Sequence, residues 1–191
     1  MHVIFIHGPA ASGKHTIGSE LAVLTGLPLF HNHLAVDAAK TLFEFGTPGF
    51  NALRAAVWRT AFSEAATAGQ SFIFTFHPEA SVARSLVNEM IESVESRGGT
   101  VIFVELKCSP ATILARLQEN SRTRFGKLTD PALYQELQKK GAFDFPALPL
   151  AHVTVHTDEM PPRDAARAIH DAVRAFVGDD ALKTIHRVGN R

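Results

Sequence analysis

The feature that most constrains the fold is a short glycine-rich segment near the start of the chain, which runs Gly8-Pro9-Ala10-Ala11-Ser12-Gly13-Lys14. The residues before it, 3–7, are mostly β-branched or aromatic, and this pattern predicts a buried strand. After it, Ile17, Leu21 and Leu24 recur at helical spacing. In a turn between a strand and a helix, backbone N–H groups point inward and the helix N-terminus adds partial positive charge. The segment therefore predicts a phosphate-binding loop, with an ordinary glycine-rich turn as the alternative.

The spacing Gly8-x4-Gly13-Lys14 is that of a Walker A loop, whose lysine neutralises the β and γ phosphates of a nucleoside triphosphate. One position departs from the pattern, because His15 replaces the serine or threonine whose hydroxyl ligates Mg²⁺. Either Thr16 supplies that hydroxyl, or Mg²⁺ is held mainly by phosphate oxygens and water. The predicted nucleotide-binding residues of the loop are Gly8, Pro9, Ala10, Ala11, Ser12, Gly13, Lys14, His15 and Thr16.

Apolar strand patterns alternate with helical patterns along the rest of the chain. The predicted strands cover 3–7, 27–30, 71–76, 101–106 and 152–156. Helices are predicted after Gly13, over 34–43, 50–68, 80–96 and 131–140, from Pro110 to just before Glu119, and from Pro161-Pro162 to 177. Nearly continuous apolar strands that alternate with helices favour a parallel sheet covered on both faces. We therefore predict an α/β fold, a three-layer α/β/α sandwich with a five-stranded parallel sheet, of the P-loop NTP hydrolase type.

A chain of 191 residues can bury one substantial core. We predict one domain over residues 1–178 and a C-terminal tail over 179–191. The polar, arginine-bearing segment 116–145 is predicted to be a lid insertion within that domain. Neither an internal repeat nor a low-complexity linker marks it as a second domain.

Composition and charge exclude several classes of partner. The 19 basic and 19 acidic residues cancel, and the only local basic excess lies in the tail, so no nucleic-acid partner is expected. Cys108 is the single cysteine, which excludes an intramolecular disulfide and favours the cytoplasm. The apolar run at the start is short and lacks a cationic leader, so neither a signal peptide nor a membrane span is predicted. Neutral charge leaves the oligomeric state open.

Two further segments have distinctive patterns. One runs Val104-Glu105-Leu106-Lys107-Cys108-Ser109-Pro110-Ala111-Thr112-Ile113-Leu114-Ala115-Arg116-Leu117, and the other runs Val155-His156-Thr157-Asp158-Glu159-Met160-Pro161-Pro162-Arg163-Asp164-Ala165-Ala166. Together with the Walker A loop and the order of elements, they resemble the shikimate kinase and gluconate kinase group of small P-loop kinases, related to nucleoside monophosphate kinases. The resemblance covers residues 3–177. It implies an ATP-dependent enzyme that uses Mg²⁺ and moves the γ-phosphoryl group to a hydroxyl of a small, anionic metabolite.

The resemblance also implies roles for residues outside the loop. Arg122 or Arg124 would reach the phosphates from the lid, where cations stabilise the transferred group and closure excludes water. Arg116 would lie on the adenine side, and Thr157 belongs to the turn that holds the adenine ring. Arg54 occupies the place at which such kinases bind an anionic acceptor, and its guanidinium suits a carboxylate or phosphate. Solvated surface charge is the alternative interpretation of these arginines.

After the second strand the chain departs from the family pattern. The family has an Asp-x-Asp arrangement that orders the water on the metal and accepts the proton of the acceptor hydroxyl, whereas this chain has His31-Asn32-His33. Asp37, on the following helix, is the nearest acid and a candidate base, and His31 or His33 is the other candidate. His77 follows the third strand, so the three histidines are predicted to meet at the carboxyl edge of the sheet as substrate-binding residues. Zinc ligation is the alternative.

Three functions remain open from the sequence. The first is an ATP-dependent small-molecule kinase, for which the resemblance favours ATP over GTP. The second is a non-catalytic nucleotide-binding module, which the histidines at 15, 31 and 33 favour. The third is a nucleotide kinase, which differs from the first only in its acceptor.

Overall fold

The computed structural model describes residues 1–119 and 128–178. Within these ranges the strands are β1 (His2–His7), β2 (Leu29–His31), β3 (Phe72–Phe76), β4 (Thr100–Lys107) and β5 (Val153–His156). They form one sheet in the order β2-β3-β1-β4-β5, and every neighbouring pair is parallel. The predicted five-stranded parallel sheet is therefore confirmed.

Helices alternate with these strands along the described chain. They are α1 (Lys14–Thr25), α2 (His33–Lys40), α3 (Pro48–Ala68), α4 (Arg84–Glu95), α5 (Pro110–Leu117), α6 (Pro131–Lys139) and α7 (Pro162–Val177). Gly26 and Gly69 end α1 and α3 with φ of 72° and 66°, a left-handed conformation that glycine adopts without steric cost. Pro110 and Pro131 lie in the first turn of α5 and α6, where a missing N–H is harmless.

Two predicted helix starts are wrong. Helix α3 begins at Pro48 rather than at residue 50, because the side chain of Thr47 caps it by accepting from the Phe50 N–H at 3.4 Å. Helix α4 begins at Arg84 rather than at residue 80. The Ala80 N–H instead donates to the carbonyl of Ala142 at 2.9 Å, so tertiary contact holds this segment outside the helix.

Alternating residues of β1 divide the core into two halves. Val3 and Phe5 belong to the apolar cluster that includes side chains of α3 and α4, whereas Ile4 and Ile6 belong to the cluster that includes α1 and α7. All four are fully buried, and each such burial stabilises the fold by about 1.5–3 kcal/mol. The predicted three-layer sandwich is thereby confirmed.

Helix α6 lies inside the range predicted as a lid. Its Tyr134 is buried in a small separate cluster with Ile113 and Leu117 of α5. The lid itself and the single-domain boundary stay predictions, and the segments 120–127 and 179–191 lie outside the described residues. Within the described ranges, each helix is too short or too polar to cross a bilayer.

Candidate functional site

A cavity of about 960 Å³ opens at the carboxyl ends of the strands. In open parallel sheets this edge is where ligands bind. Its walls come from the loop after β1, the start of α1, the β2–α2 junction, the segment after β3, α5 and the turn after β5. Among the lining residues are Ala10, Ala11, Ser12, Gly13, Lys14, His15, Thr16, His31, Asn32, His33, Asp37, Lys40, Phe45, Thr75, His77, Glu79, Ser81, Arg116, Phe143 and Thr157.

The loop between β1 and α1 has the backbone that the glycine pattern predicts. Gly8 has φ of 153°, and a Cβ there would lie 2.5 Å from the carbonyl oxygen of Leu106. Gly13 caps α1 with φ of 89°. Ala11 also has positive φ, 58°, which is uncommon for a residue with a Cβ. The loop therefore approaches β4 too closely for a side chain at position 8, and its curvature depends on three left-handed residues.

Lys14 lies against this loop. Its Nζ donates hydrogen bonds to the carbonyl oxygens of Gly8 at 2.9 Å and Pro9 at 2.6 Å. The carbonyl of Gly8 also lies 3.3 Å from Nδ1 of His77. Because a carbonyl only accepts, that contact is a hydrogen bond when Nδ1 carries the proton. Gly8 and Pro9 thus hold the ammonium group through their carbonyls, while 10–16 form the cavity wall.

Histidines line one side of the cavity. The rings of His15 and His31 lie 4.7 Å apart between centroids, and those of His31 and His33 lie 6.3 Å apart. His77 lines the same cavity, as predicted from its position after β3. In the described part of the chain, no three or more His, Cys, Asp or Glu residues are arranged to hold a metal ion. The alternative of a zinc site therefore has no geometric support in this part of the chain.

A magnesium ion prefers oxygen ligands, and the first turn of α1 offers one. The hydroxyl-bearing Thr16 lines the cavity beside His15, whose ring nitrogens suit other metals better. Asp37, on α2, is exposed and lines the cavity too. These residues fit an ion held largely by phosphate oxygens and water, and Thr16 as a ligand from α1 stays a prediction.

Arg54 does not line the cavity. Its side chain is buried in α3, and Nη1 donates to Oε1 of Glu79 at 2.5 Å. Nη2 donates to Asn51 Oδ1 at 3.1 Å and to the carbonyl of Ser81 at 3.0 Å. Burial lowers the pKa of Arg54, and the carboxylate of Glu79 opposes that shift. Direct binding of an acceptor by Arg54 thus stays a prediction, while Glu79 and Ser81 form the adjoining cavity wall.

Arg116 joins α5 to the turn after β5. Its guanidinium donates to the Thr157 side chain at 3.2 Å, to the Thr157 carbonyl and to the Asp158 carbonyl at 3.4 Å. Asp158 in turn accepts from the Ser109 N–H at 2.8 Å. Hydrogen bonds from the side chain and the backbone of Ser109, followed by one from the side chain of Thr112, lower the pKa of Asp158 to about 2. Arg116 and Thr157 both line the cavity, and the adenine-side position predicted for them stays a prediction.

Arg122 and Arg124, predicted to reach the phosphates from the lid, lie outside the described residues. Sequence reasoning missed Glu79, Ser81 and Lys40, although all three line the cavity. Glu79 directly follows the His77-Pro78 stop of β3, and that position at the carboxyl edge was an available signal.

Another group that sequence reasoning missed is His7, the last residue of β1. It is only 8% exposed and packs beside Phe103. Burial lowers the pKa of His7 to about 4; Glu105 opposes this shift and Lys14 adds to it. A neutral imidazole therefore lies directly before the phosphate loop.

No family model matches the chain, and no curated protein matches its sequence significantly. Solved structures do match it. A gluconokinase from Sinorhizobium meliloti 1021 is 17% identical, with 96% of this chain and 97% of that one covered and a TM-score of 0.61. A sugar kinase from Janibacter sp. HTCC2649 is 20% identical, with 95% and 96% covered and a TM-score of 0.60.

The shikimate kinase from Acinetobacter baumannii, solved in complex with shikimate, is 19% identical, with 93% and 95% covered and a TM-score of 0.56. At these identities the likeness shows the fold. The chain has the fold of the P-loop small-molecule kinases, and the resemblance drawn from the sequence is confirmed at that level.

Proposed function

We propose that this protein is an ATP-dependent phosphotransferase that moves the γ-phosphoryl group to a hydroxyl of a small metabolite. The single observation that supports this most is the position of Lys14 and the curved loop at the wall of one large cavity. A volume of about 960 Å³ is at the upper end of the roughly 300–1,000 Å³ common for ligand pockets, enough for a nucleotide and an acceptor together.

In this proposal the chain supplies position and positive charge. Lys14 leaves the loop carbonyls for the β and γ phosphates, which loop N–H groups also contact. Arg116 and Thr157 hold the adenine end, and Arg122 and Arg124 approach the phosphates from the lid. Phosphoryl transfer needs mainly alignment of the reacting groups and neutralisation of charge, and these residues supply both. Thr16 would be a protein ligand to bound Mg²⁺, which would neutralise negative charge on the phosphates.

Proton transfer from the acceptor hydroxyl falls to Asp37, with His31 or His33 as the other candidate. All three line the cavity on the β2–α2 side, away from Arg116 on α5. The anionic acceptor predicted from the sequence depended on Arg54, whose charge Glu79 already neutralises. The proposal therefore retains the hydroxyl of the acceptor and drops the requirement for an anion. A cytoplasmic location, supported by the single cysteine, is part of the proposal.

A second candidate is a nucleotide-binding module without transferase activity. The observation that favours it is the cluster of His15, His31 and His33 in the region where kinases of this fold are expected to hold carboxylates. A nucleotide kinase is a third candidate, and only the identity of its acceptor separates it from the first.

The test is to incubate the purified protein with radiolabelled ATP, Mg²⁺ and a panel of sugars, polyols, hydroxy acids and nucleotides. We expect labelled product from at least one acceptor, and none from Lys14→Ala. Lys140→Ala is the matched control, because Lys140 is exposed, pairs with Glu136 and lies outside the cavity. Calorimetry with ATP is run on the same samples. Binding without transfer would support the non-catalytic module, and absence of both would refute the nucleotide site.

A further inference from the structure

Arg54 belongs to a buried row on α3. The buried positions of this helix are Phe50, Arg54, Trp58, Phe62 and Ala66, one every fourth residue. The guanidinium carbon lies 5.2 Å from the centroid of the Phe50 ring and 5.3 Å from that of Trp58. A charge in such surroundings needs a partner, since an isolated buried charge is strongly unfavourable.

Glu79 is that partner, and it also lines the cavity. Its side chain is 16% exposed, against 2% for Arg54. Its Oε1 accepts from Arg54 at 2.5 Å and from the Ser81 hydroxyl at 2.9 Å. An ionised carboxylate can accept about four hydrogen bonds. The protein therefore holds one oxygen of Glu79 in place. The carboxylate can still accept further hydrogen bonds from the hydroxyls of a ligand at the cavity wall.

We propose that Glu79, positioned by Arg54, binds hydroxyls of the phosphoryl acceptor, and that the acceptor is an uncharged polyol at the end that meets Glu79. This inference rests on the proposed kinase function and names its substrate class. Arg54 acts as a positioning residue, because Glu79 rather than Arg54 contacts the acceptor.

Charge decides between a polyol and an acid at this wall. An acid would bring a second carboxylate toward Glu79, and like charges at short range repel. To bind an acid directly, Arg54 would have to release Glu79 from a buried ion pair. Of the described charged side chains that line the cavity, Asp37 and Lys40 lie on α2 and are exposed and opposite in sign. Hydroxyls, in contrast, donate to Glu79 while the ion pair stays in place.

The experiment compares three pairs of compounds that differ only by CH₂OH against carboxylate: glycerol and glycerate, ribitol and ribonate, glucose and glucuronate. Each is titrated by calorimetry into the full-length protein saturated with Mg²⁺ and a non-hydrolysable ATP analogue. We expect at least one alcohol to bind more tightly than its acid by about tenfold or more. The reason is that repulsion between the carboxylate of the acid and Glu79 should lower the affinity by at least about one factor of ten.

In Glu79→Gln the preference should shift toward the acid by about tenfold or more, because Arg54 then lacks its counter-charge. The double variant Arg54→Met/Glu79→Gln removes both charges, so it should not show the shift in preference toward the acid. It also tests the inference if Glu79→Gln alone folds poorly. Glu89→Gln, which breaks the exposed Arg59–Glu89 pair, is the matched control and should behave as the parent does.

Three results would overturn the inference: acids preferred by the parent protein, an unchanged preference in Glu79→Gln, or no binding of any of the six compounds. The binding of the ATP analogue is measured in the same titrations. If the analogue does not bind, the proposed function fails; if it binds and the polyol results fail, only the Glu79 inference is lost.

Discussion

Lys14 and His77 converge on one atom, the carbonyl oxygen of Gly8, with Lys14 Nζ at 2.9 Å and His77 Nδ1 at 3.3 Å. If a phosphate attracts Lys14, this carbonyl loses one of its two donors, while the hydrogen bond from His77 can stay in place. His77 thereby links the segment after β3 to the phosphate loop, and this contact leads to the first prediction.

His77→Ala is expected to weaken ATP binding by several-fold and to lower the free energy of unfolding by about 1 kcal/mol, the usual net value of one hydrogen bond. His77→Asn, which keeps a side-chain donor, should recover part of both. Calorimetry and urea unfolding measure the two effects. If the alanine and asparagine variants lose equally, the hydrogen bond to Gly8 is not the cause.

Gly8→Ala is expected to destabilise the protein by about 2–4 kcal/mol, because left-handed backbone and overpacking add. The new Cβ would lie 2.5 Å from the Leu106 carbonyl oxygen. Gly46→Ala is the matched control, since Gly46 has φ of 80° and open space around it. It should cost about 1 kcal/mol, from backbone conformation alone. Equal losses in urea unfolding would show that the loop does not press against β4.

Ala11→Gly tests the strain in the loop itself. Ala11 has φ of 58°, which costs about 1–2 kcal/mol, whereas glycine costs about 0.5–1 kcal/mol through chain entropy. We expect the variant to be as stable as the parent or up to about 1 kcal/mol more stable. Ala10→Gly, next to it and without positive φ, should be less stable than the parent. A clear loss for Ala11→Gly would contradict the left-handed conformation at this position.

His7 predicts a pH dependence of stability. Its folded pKa of about 4 lies below the unfolded value of 6.5, so the unfolded chain binds more protons between these values. The contribution of His7 to the free energy of unfolding is therefore present above pH 6.5. It is lost as the pH falls toward 4, and the total loss is about 3 kcal/mol.

In His7→Phe this part of the slope should vanish, because phenylalanine keeps the ring contact with Phe103 and does not titrate. The measurement is urea unfolding at intervals from pH 7 to pH 4. His156→Phe, at an exposed position, is the control. An identical slope in His7→Phe and the parent would show that His7 is not the titrating group.

Thr16 predicts the way in which Mg²⁺ affects nucleotide binding. Thr16→Val should reduce the enhancement of ATP affinity by Mg²⁺ several-fold, and His15→Ser should increase it, since a second hydroxyl then becomes available. Thr25→Val, at the far end of α1, controls for the loss of a hydroxyl. Titrations with Mg²⁺ and with a chelator give the ratio. An unchanged ratio in Thr16→Val would assign Mg²⁺ to phosphate and water alone.

The sheet and the phosphate loop could be predicted because their signals are local. These signals lie close together in the sequence: the strand pattern at 3–7, the glycines at 8 and 13, and the helical spacing after Lys14. The strand ends also indicated that His31, His33 and His77 would share one edge, and they line one cavity.

The burial of Arg54 could be predicted from the sequence, but its ion-pair partner could not. The row Phe50, Arg54, Trp58 and Phe62 has the spacing of one helix face, which indicates burial. Its partner Glu79 is 25 residues away in sequence, and no spacing rule connects them. The ring contact between His15 and His31 likewise depends on how α1 packs against β2, which is a property of the assembled fold.

The contacts of Arg116 have a mechanical consequence. One guanidinium binds both the side chain and the backbone of Thr157 and the backbone of Asp158, so α5 and the turn after β5 cannot shift independently. A molecule that pushes on either wall therefore moves both, and this end of the cavity responds as one unit rather than as two separate flexible edges.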